Sequence, residues 1–356
     1  MPQYTNPAEY ILELVNTDFS RNRERALQQL GEMQSAWSKS AESSVIVQEL
    51  EQETTSPSRA NAIDDHNSAS SVSMLLTLTH RSYIKSYRDI LAYGIRIAMY
   101  VGLAILMGTV WLRLSTHQSN IEAFTNSIFY GGAFMSFMAV ASIPAYLEDR
   151  ALYVKERQNG LYNPATFMLS NFIVGLVPLF LITILFSVVV YWLSNFRPSA
   201  DGFWTFVLWL FLDLLAAESL VVLVTNLCPI FVVALAATAF ANGLWMSVNG
   251  FMVLPHTLNP FWRYVFHYID YQAYVFQGMM VNEFAKRTYQ CDTLPGGGCQ
   301  CMYSSPLESR CEIAGTAVLD SYGYKTGKTG LWVGIMIGII VGYRLLAWLV
   351  LYLRKH

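Results

Sequence analysis

The sequence predicts an all-α membrane protein: six transmembrane helices, an amphipathic surface helix before the first, re-entrant or interfacial helices after the fifth, and a disulfide-bearing outer loop. Three observations carry that expectation. Of 356 residues, 54% are hydrophobic and 13% charged, against about 25% charged in an ordinary soluble domain. Six runs approach the ~20 apolar residues that a span requires: Ile95–Leu114, Phe124–Tyr146, Ala165–Leu193, Phe203–Thr225, Phe231–Leu254 and Leu331–Leu353. Cys291, Cys299, Cys301 and Cys311 crowd into one polar segment before the last run.

The N-terminal part is of a different character. Met1–Leu50 is polar and helix-like, and Asn6–Phe19 carries apolar residues at helical spacing with acidic ones between. Glu51–Ser73 is rich in Ser, Thr, Gln, Asn and Asp without an apolar period, and is expected to be a disordered linker. Residues 74–356 then form the membrane domain. At its start, Thr77–Gly94 mixes His80, Arg81, Lys85 and Arg88 with Tyr83, Ile84, Tyr87, Ile90 and Leu91. That pattern predicts a surface helix with its basic face toward lipid headgroups. No cleavable apolar leader opens the sequence, so insertion is expected to use the first internal span.

An even number of spans places both termini on one side. The positive-inside rule makes that side cytosolic, through Arg81, Lys85, Arg88, Arg96, Arg150, Lys155, Arg157, Arg354 and Lys355. The cysteine-rich segment then falls outside, where disulfides persist. A zinc site would need paired C-x-x-C knuckles or a histidine, and neither occurs in that segment. Four cysteines allow three pairings, or one of them bridges to a second subunit. Cys228 stands alone beside Pro229. After the fifth run, Pro255 and Pro260 break the helix, and Phe261–Tyr268 and Tyr271–Phe276 supply aromatics suited to a membrane interface. Arg263, His267 and Asp270 argue against a seventh span there.

Several polar features interrupt this apolar background. Glu148, Asp149, Arg150, Lys155, Glu156 and Arg157 make a hydrophilic island between the second and third runs. Such charge cannot remain in hydrocarbon, so a structured docking loop is expected, or a solvated loop held by its own ion pairs. Asp213 and Glu218 lie inside the fourth run, each costing about 2.5–3.5 kcal/mol unless paired or hydrated. They form either a polar relay or bundle-holding bonds to Ser219, Thr225 or a neighbouring helix. Gly330, Gly334, Gly338 and Gly342 make a stripe for close helix approach, with a span of the same chain favoured over a second subunit as partner. Gly323–Thr329 has three residues between its glycines where a phosphate-binding loop needs four, and is rejected as a nucleotide site. No nucleophile with its base and no metal-ligand spacing occurs, and the net charge of −2 gives no reason to expect nucleic acid.

The island continues as Glu156-Arg-Gln-Asn-Gly-Leu-Tyr-Asn-Pro-Ala-Thr-Phe167, which resembles the first intracellular loop of G-subfamily (White/pigment type) ATP-binding cassette half-transporters. The resemblance extends to the Thr77–Gly94 helix, the short Arg197–Gly202 turn, Asn249-Gly250, and Asn282-Glu-Phe284 opening the outer loop. Asn6–Phe19 resembles the segment that closes the family's nucleotide-binding domain, so residues 1–50 are expected to be a remnant of that domain's C-terminal end. Walker A, signature and Walker B motifs are absent from this sequence. ATP and Mg2+ would therefore be held by a nucleotide-binding domain outside it, and the whole transporter would be an ATP-dependent translocase.

The resemblance implies a homo- or heterodimer of half-transporters in which the first intracellular loop receives motion from the nucleotide domains. Glu148, Arg150, Glu156 and Arg157 are then the coupling candidates. It also implies a substrate cavity on the dimer axis between the second and fifth spans, lined by Ala133, Ser136, Phe137, Asn242, Met246, Phe251 and Met252. Phe251 and Met252 match the family's apolar plug. The same residues could instead be helix-packing core. The expected function is export of lipids, sterols or other hydrophobic compounds across the plasma membrane, with both termini cytosolic. The alternative is a truncated, non-transporting paralogue that dimerises with full-length half-transporters and regulates them. A channel is disfavoured, because no span carries a regular polar pore-lining face.

Overall fold

The computed structural model describes residues 10–11, 15–17, 23–55, 70–88, 90–294 and 298–354. Two units divide at Ser70. The first contains α1 (Arg23–Ser38) and α2 (Ala41–Thr55), joined by a turn in which the Ser43 amide donates to the Ser40 hydroxyl at 3.1 Å. The linker expected over 51–73 is thus helical at both margins, 51–55 in α2 and 71–73 in the next helix. Its centre, and most of Asn6–Phe19, lie outside the described residues.

The second unit is a helical bundle: α3 (Ser71–Arg88), α4 (Ile90–Val110), α5 (Ile121–Met138), α6 (Ile143–Gln158), α7 (Pro164–Leu193), α8 (Ala200–Leu227), α9 (Phe231–Val248), α10 (Tyr271–Phe284), α11 (Gly315–Tyr322) and α12 (Thr329–Leu353). Among the described residues, five helical stretches are long and apolar enough to cross a membrane: 118–158, α7, α8, α9 and α12. This is a multi-pass membrane protein. The apolar part of α4, Gly94–Val110, is shorter, so length alone does not reach the six spans expected.

Local chemistry explains most boundaries. Pro164 sits in the first turn of α7, where its missing N–H costs nothing. Ser199 caps α8 by accepting the Gly202 amide at 3.1 Å, and Asp270 caps α10 by accepting the Gln272 amide at 2.8 Å. Pro229 follows the end of α8. The fifth run stops at Val248 rather than Leu254, because Gly250 turns the chain at φ +101°, a region that a side chain would disfavour. Beyond it, a short π-helical turn (Trp262–His267) and the buried α10 replace a further span, as the aromatic-rich, charge-broken stretch predicts.

The expected docking loop is a helix. Residues 118–158 run as one helical stretch of 41 residues, with only a 3-10 segment at Ala139–Ser142 joining α5 to α6. At about 1.5 Å per residue the stretch is ~60 Å long, roughly twice the ~30 Å hydrocarbon thickness. The stretch is thus longer than one span needs, and the charged end is carried by helix and not by a loop.

The polar segment before α11 is stapled by disulfides Cys291–Cys301 and Cys299–Cys311. Around them, β1 (Thr288–Gln290) pairs antiparallel with β4 (Glu312–Ala314), and β2 (Asp292–Thr293) with β3 (Cys299–Gln300). Gln118, at the start of the long helix, donates to the Gln300 carbonyl at 3.0 Å and accepts the Met302 amide at 2.9 Å. Tyr289 is buried between Phe124 and Phe284, and the Arg287 guanidinium lies 4.8 Å over the Phe124 ring.

The glycine stripe does not pack within this chain, contrary to expectation. A Cβ added at Gly330, Gly334, Gly338 or Gly342 would meet nothing within 4 Å. The face of α12 that packs inward is instead Trp332, Met336, Ile340, Ala347 and Leu351. Close approach occurs at Gly278 of α10, where a Cβ would lie 2.1 Å from the buried Trp209 ring. Gly278→Ala should therefore cost about 1–3 kcal/mol by overpacking, read as a lower unfolding midpoint in detergent. Gly338→Ala should not lower the midpoint, and equal losses at both positions would refute this assignment of the packed glycine.

Candidate functional site

The charged end of α6 lies against α3. Both terminal nitrogens of Arg81 donate to the Glu156 carboxylate, at 2.5 and 3.0 Å, and the Tyr162 hydroxyl donates to the same group. Lys85 donates to Asp149 at 2.6 Å, with the more exposed Glu148 at 4.0 Å. Arg81 and Lys85 thus face acidic partners on α6 rather than lipid headgroups alone, which corrects the expected orientation of the surface helix. The reason is Coulombic: the helix extension brings carboxylates within bonding distance, and a partly buried pair is screened less than a lysine in water. Hydrogen bonding to Arg81 holds the Glu156 carboxyl below the ordinary range, with Tyr162 adding to it. Burial and the acceptor Glu156 push the Tyr162 hydroxyl up.

The other two coupling candidates turn inward. Arg157 donates to the Leu351 and Tyr352 carbonyls at 2.6 and 3.5 Å, filling acceptors left free at the end of α12. Arg354 does the same for α8, donating to the Asn226 carbonyl at 2.8 Å. Arg150 is buried, and its Nε has no partner.

Deeper in the bundle, Asp213 and Glu218 address different neighbours. They are five residues apart, so about 140° separates them around α8. Asp213 accepts from the Ser136 hydroxyl of α5 at 2.8 Å, and its second oxygen has no partner. Glu218 pairs with Arg96 of α4 in a buried ion pair. Next to it, Arg344 of α12 donates to Ser219 at 3.0 Å and to Asn171 of α7 at 3.2 Å, with its guanidinium over the Phe172 ring. Arg344 is not among the residues that the sequence singles out by pattern. Its signal is a lone cation in an otherwise apolar helix, a residue that is functional or paired by default.

The seven expected cavity residues do not enclose a space within this chain. Ala133, Ser136 and Asn242 are buried, with Asn242 accepting the Tyr271 hydroxyl at 2.8 Å. Met246 and Phe251 are half-buried, and Phe251 stacks on Phe129 at 4.0 Å between ring centroids. Phe137 and Met252 are 41% and 57% exposed. On α9, Phe240 is also open, 74% exposed.

Two outcomes follow. Glu218→Gln should destabilise the protein by about 3–5 kcal/mol because it strands a buried guanidinium, while Arg96→Met with Glu218→Met should recover most of that loss. Detergent melting midpoints check it, and a double variant as unstable as the single one would refute the pairing. Glu156 has a depressed folded value, so its contribution is complete above its ordinary value of 4.5 and disappears as pH falls through the lower folded one. The midpoint difference between wild type and Glu156→Gln should thus be flat from about pH 6 to 8 and shrink below about pH 4. A difference that persists at the acid end would count against the ion pair.

Comparison with known proteins agrees with this architecture. The sequence pattern described as ABC-2 type transporter matches residues 74–284, more than half of the chain. ABC transporter G family member 1 of Petunia hybrida is 27% identical over 290 residues, 80% of this chain and 46% of that protein. Member 11 of Arabidopsis thaliana is 30% identical over 214 residues, 60% of this chain and 30% of that protein. Member 23 of Arabidopsis thaliana is 25% identical over 363 residues, covering 100% of this chain and 52% of that protein. The chain spans about half the length, or less, of these curated relatives. With the helical bundle and the disulfide-stapled segment in place, the chain belongs to the ABC-2 type transporter family, and its relatives of the ABC transporter G family run along most of its length.

Proposed function

We propose that the chain is the membrane domain of an ATP-driven exporter of lipids, sterols or other hydrophobic compounds, working as a homo- or heterodimer in the plasma membrane with cytosolic termini. The carrying observation is the helical stretch 118–158. It joins a charged end clamped to α3 with the Phe137 region of the open α5–α9 face. A nearly continuous helix transmits displacement along its axis, so movement imposed near Glu148 and Glu156 would shift the face where Phe137 and Met252 stand.

The dimer axis is assigned to that face. Val232, Val233 and Phe240 lie within about 100° of one another around α9 and are exposed, while its polar Thr238 and Asn242 turn inward on the other side. Of the seven expected cavity residues, Phe137 and Met252 are exposed and Met246 and Phe251 half-buried, so a second copy would enclose these four in an apolar chamber suited to lipophilic cargo, with Ala133, Ser136 and Asn242 in the packed layer behind it. Gly323 caps α11 in a left-handed conformation and Gly327 turns the chain at φ +86° into α12, so Gly323–Thr329 is a helix-linking turn. ATP and Mg2+ belong to a separate nucleotide-binding domain.

Transport and assembly are tested separately. In lipid vesicles, ATP-dependent uptake of a fluorescent sterol is expected only when a G-family nucleotide-binding domain is supplied. Uptake by the chain alone would overturn the reading, and failure with every such domain would favour the regulatory alternative. In a Cys228→Ser background, Phe240→Cys should crosslink two copies and Gly338→Cys should not. The reverse pattern would move the dimer axis to α12.

A further inference from the structure

The ends of α6, α8 and α12 converge on Asn226. The Tyr146 hydroxyl of α6 donates to the Asn226 side chain at 3.0 Å, and Arg354 donates to the Asn226 carbonyl at 2.8 Å. Arg150 lies one turn after Tyr146 on α6. Other cations at this end of the bundle are answered: Arg81 by Glu156, Lys85 by Asp149, and Arg157 by the Leu351 and Tyr352 carbonyls. Arg150 is not. It is 8% exposed, and among the described residues it has neither a hydrogen-bond acceptor nor an ion-pair partner. The full charge that acts on it is that of Arg354, which has the same sign. Its Nε is sealed in, but the two terminal nitrogens are not enclosed and stay open to a ligand. The helix ends around it present apolar side chains: Leu227 and Ile230 flank the end of α8, Leu353 closes α12, and all three are exposed.

We infer that Arg150 holds the phosphate of an anionic phospholipid from the leaflet at this end of the bundle. A guanidinium removed from water beside a second one is costly unless an anion joins it. Two open terminal nitrogens make a fork that matches two phosphate oxygens. The exposed leucines and isoleucine stand at the ends of membrane helices, the depth at which headgroup charge gives way to acyl chains. A free anion would leave that apolar rim bare, and a zwitterionic headgroup would bring its own cation beside Arg354. Basic pockets between helices at this depth take anionic headgroups. The lipid is a resident of the fold and not its cargo: none of the seven expected chamber residues belongs to this site. With the phosphate in place, the end of α6 is fixed to the ends of α8 and α12 by charge as well as by Asn226.

The test uses the full chain in detergent without ATP or a nucleotide domain, so it is independent of export. The protein is given equal amounts of phosphatidylglycerol and phosphatidylcholine with the same acyl chains, and bound lipid is counted by native mass spectrometry. The wild type should retain phosphatidylglycerol about tenfold over phosphatidylcholine. Arg150→Met, which removes the charge and keeps an apolar chain of similar length, should bring that ratio to about one. Lys155→Met removes an exposed cation from the same helix and should leave the ratio unchanged. Excess inorganic phosphate should not displace the lipid, and displacement would assign the site to free phosphate and overturn the lipid. The wild-type comparison needs no variant to fold. Equal retention of the two lipids, or a preference that survives Arg150→Met, would overturn the site and leave Arg150 for an acidic side chain of another protein.

Discussion

Charge and hydrogen-bonding groups removed from water must find partners inside the protein, and α8 is where this chain meets that demand. Asp213 reaches Ser136 on α5, Glu218 reaches Arg96 on α4, and Ser219 accepts Arg344 from α12. Asn226 accepts the Tyr146 hydroxyl of α6 at 3.0 Å and donates to the Ala347 carbonyl of α12 at 3.4 Å. Together these side chains engage α4, α5, α6 and α12. The hub also buries Trp209, Leu210, Leu214, Ala216 and Val221 almost completely. Dispersion supplies the cohesion of such a bundle, and the polar bonds set which helix faces which.

From that hub the polar contacts spread unevenly. The end of the bundle carrying α3 is knotted by ion pairs and by arginines on helix C-termini, while the opposite end is held by disulfides, two short hairpins and Gln118. Between them α9 and the glycine stripe of α12 remain open. A bundle clamped at both ends with bare apolar faces between is suited to burying those faces against another membrane-embedded surface. Much of the charge that suggests an external docking loop is spent on contacts within this chain, which tie α6 to α3 and to the end of α12.

Much of this architecture is legible in the amino-acid sequence. Apolar runs locate α7, α8 and α12 to within three residues at each end, since insertion into hydrocarbon is governed by summed side-chain transfer. The cysteine cluster points to disulfides in a polar segment. Other features are not legible there. Nothing local in Glu148–Arg157 distinguishes a helical extension from a loop. Helix continuity across residues 139–142 depends on packing against α8, which no window of sequence contains. The glycine stripe has the right spacing for close packing, but spacing does not say whether a partner is present. Arg96 has the sequence position of a flanking charge and is a buried partner of Glu218, because the pairing depends on how α4 and α8 rotate toward each other.

What the sequence by itself determined is therefore partition: which segments enter the membrane, which stay outside, and where charge needs an answer. These are additive, residue-by-residue free energies of transfer, and order along the chain suffices to sum them. The tertiary structure alone decided identity of partners: Cys291 with Cys301, Glu218 with Arg96, Trp209 against Gly278. Those choices depend on helix rotation, depth and approach to within a few ångströms, quantities that arise only when the helices meet.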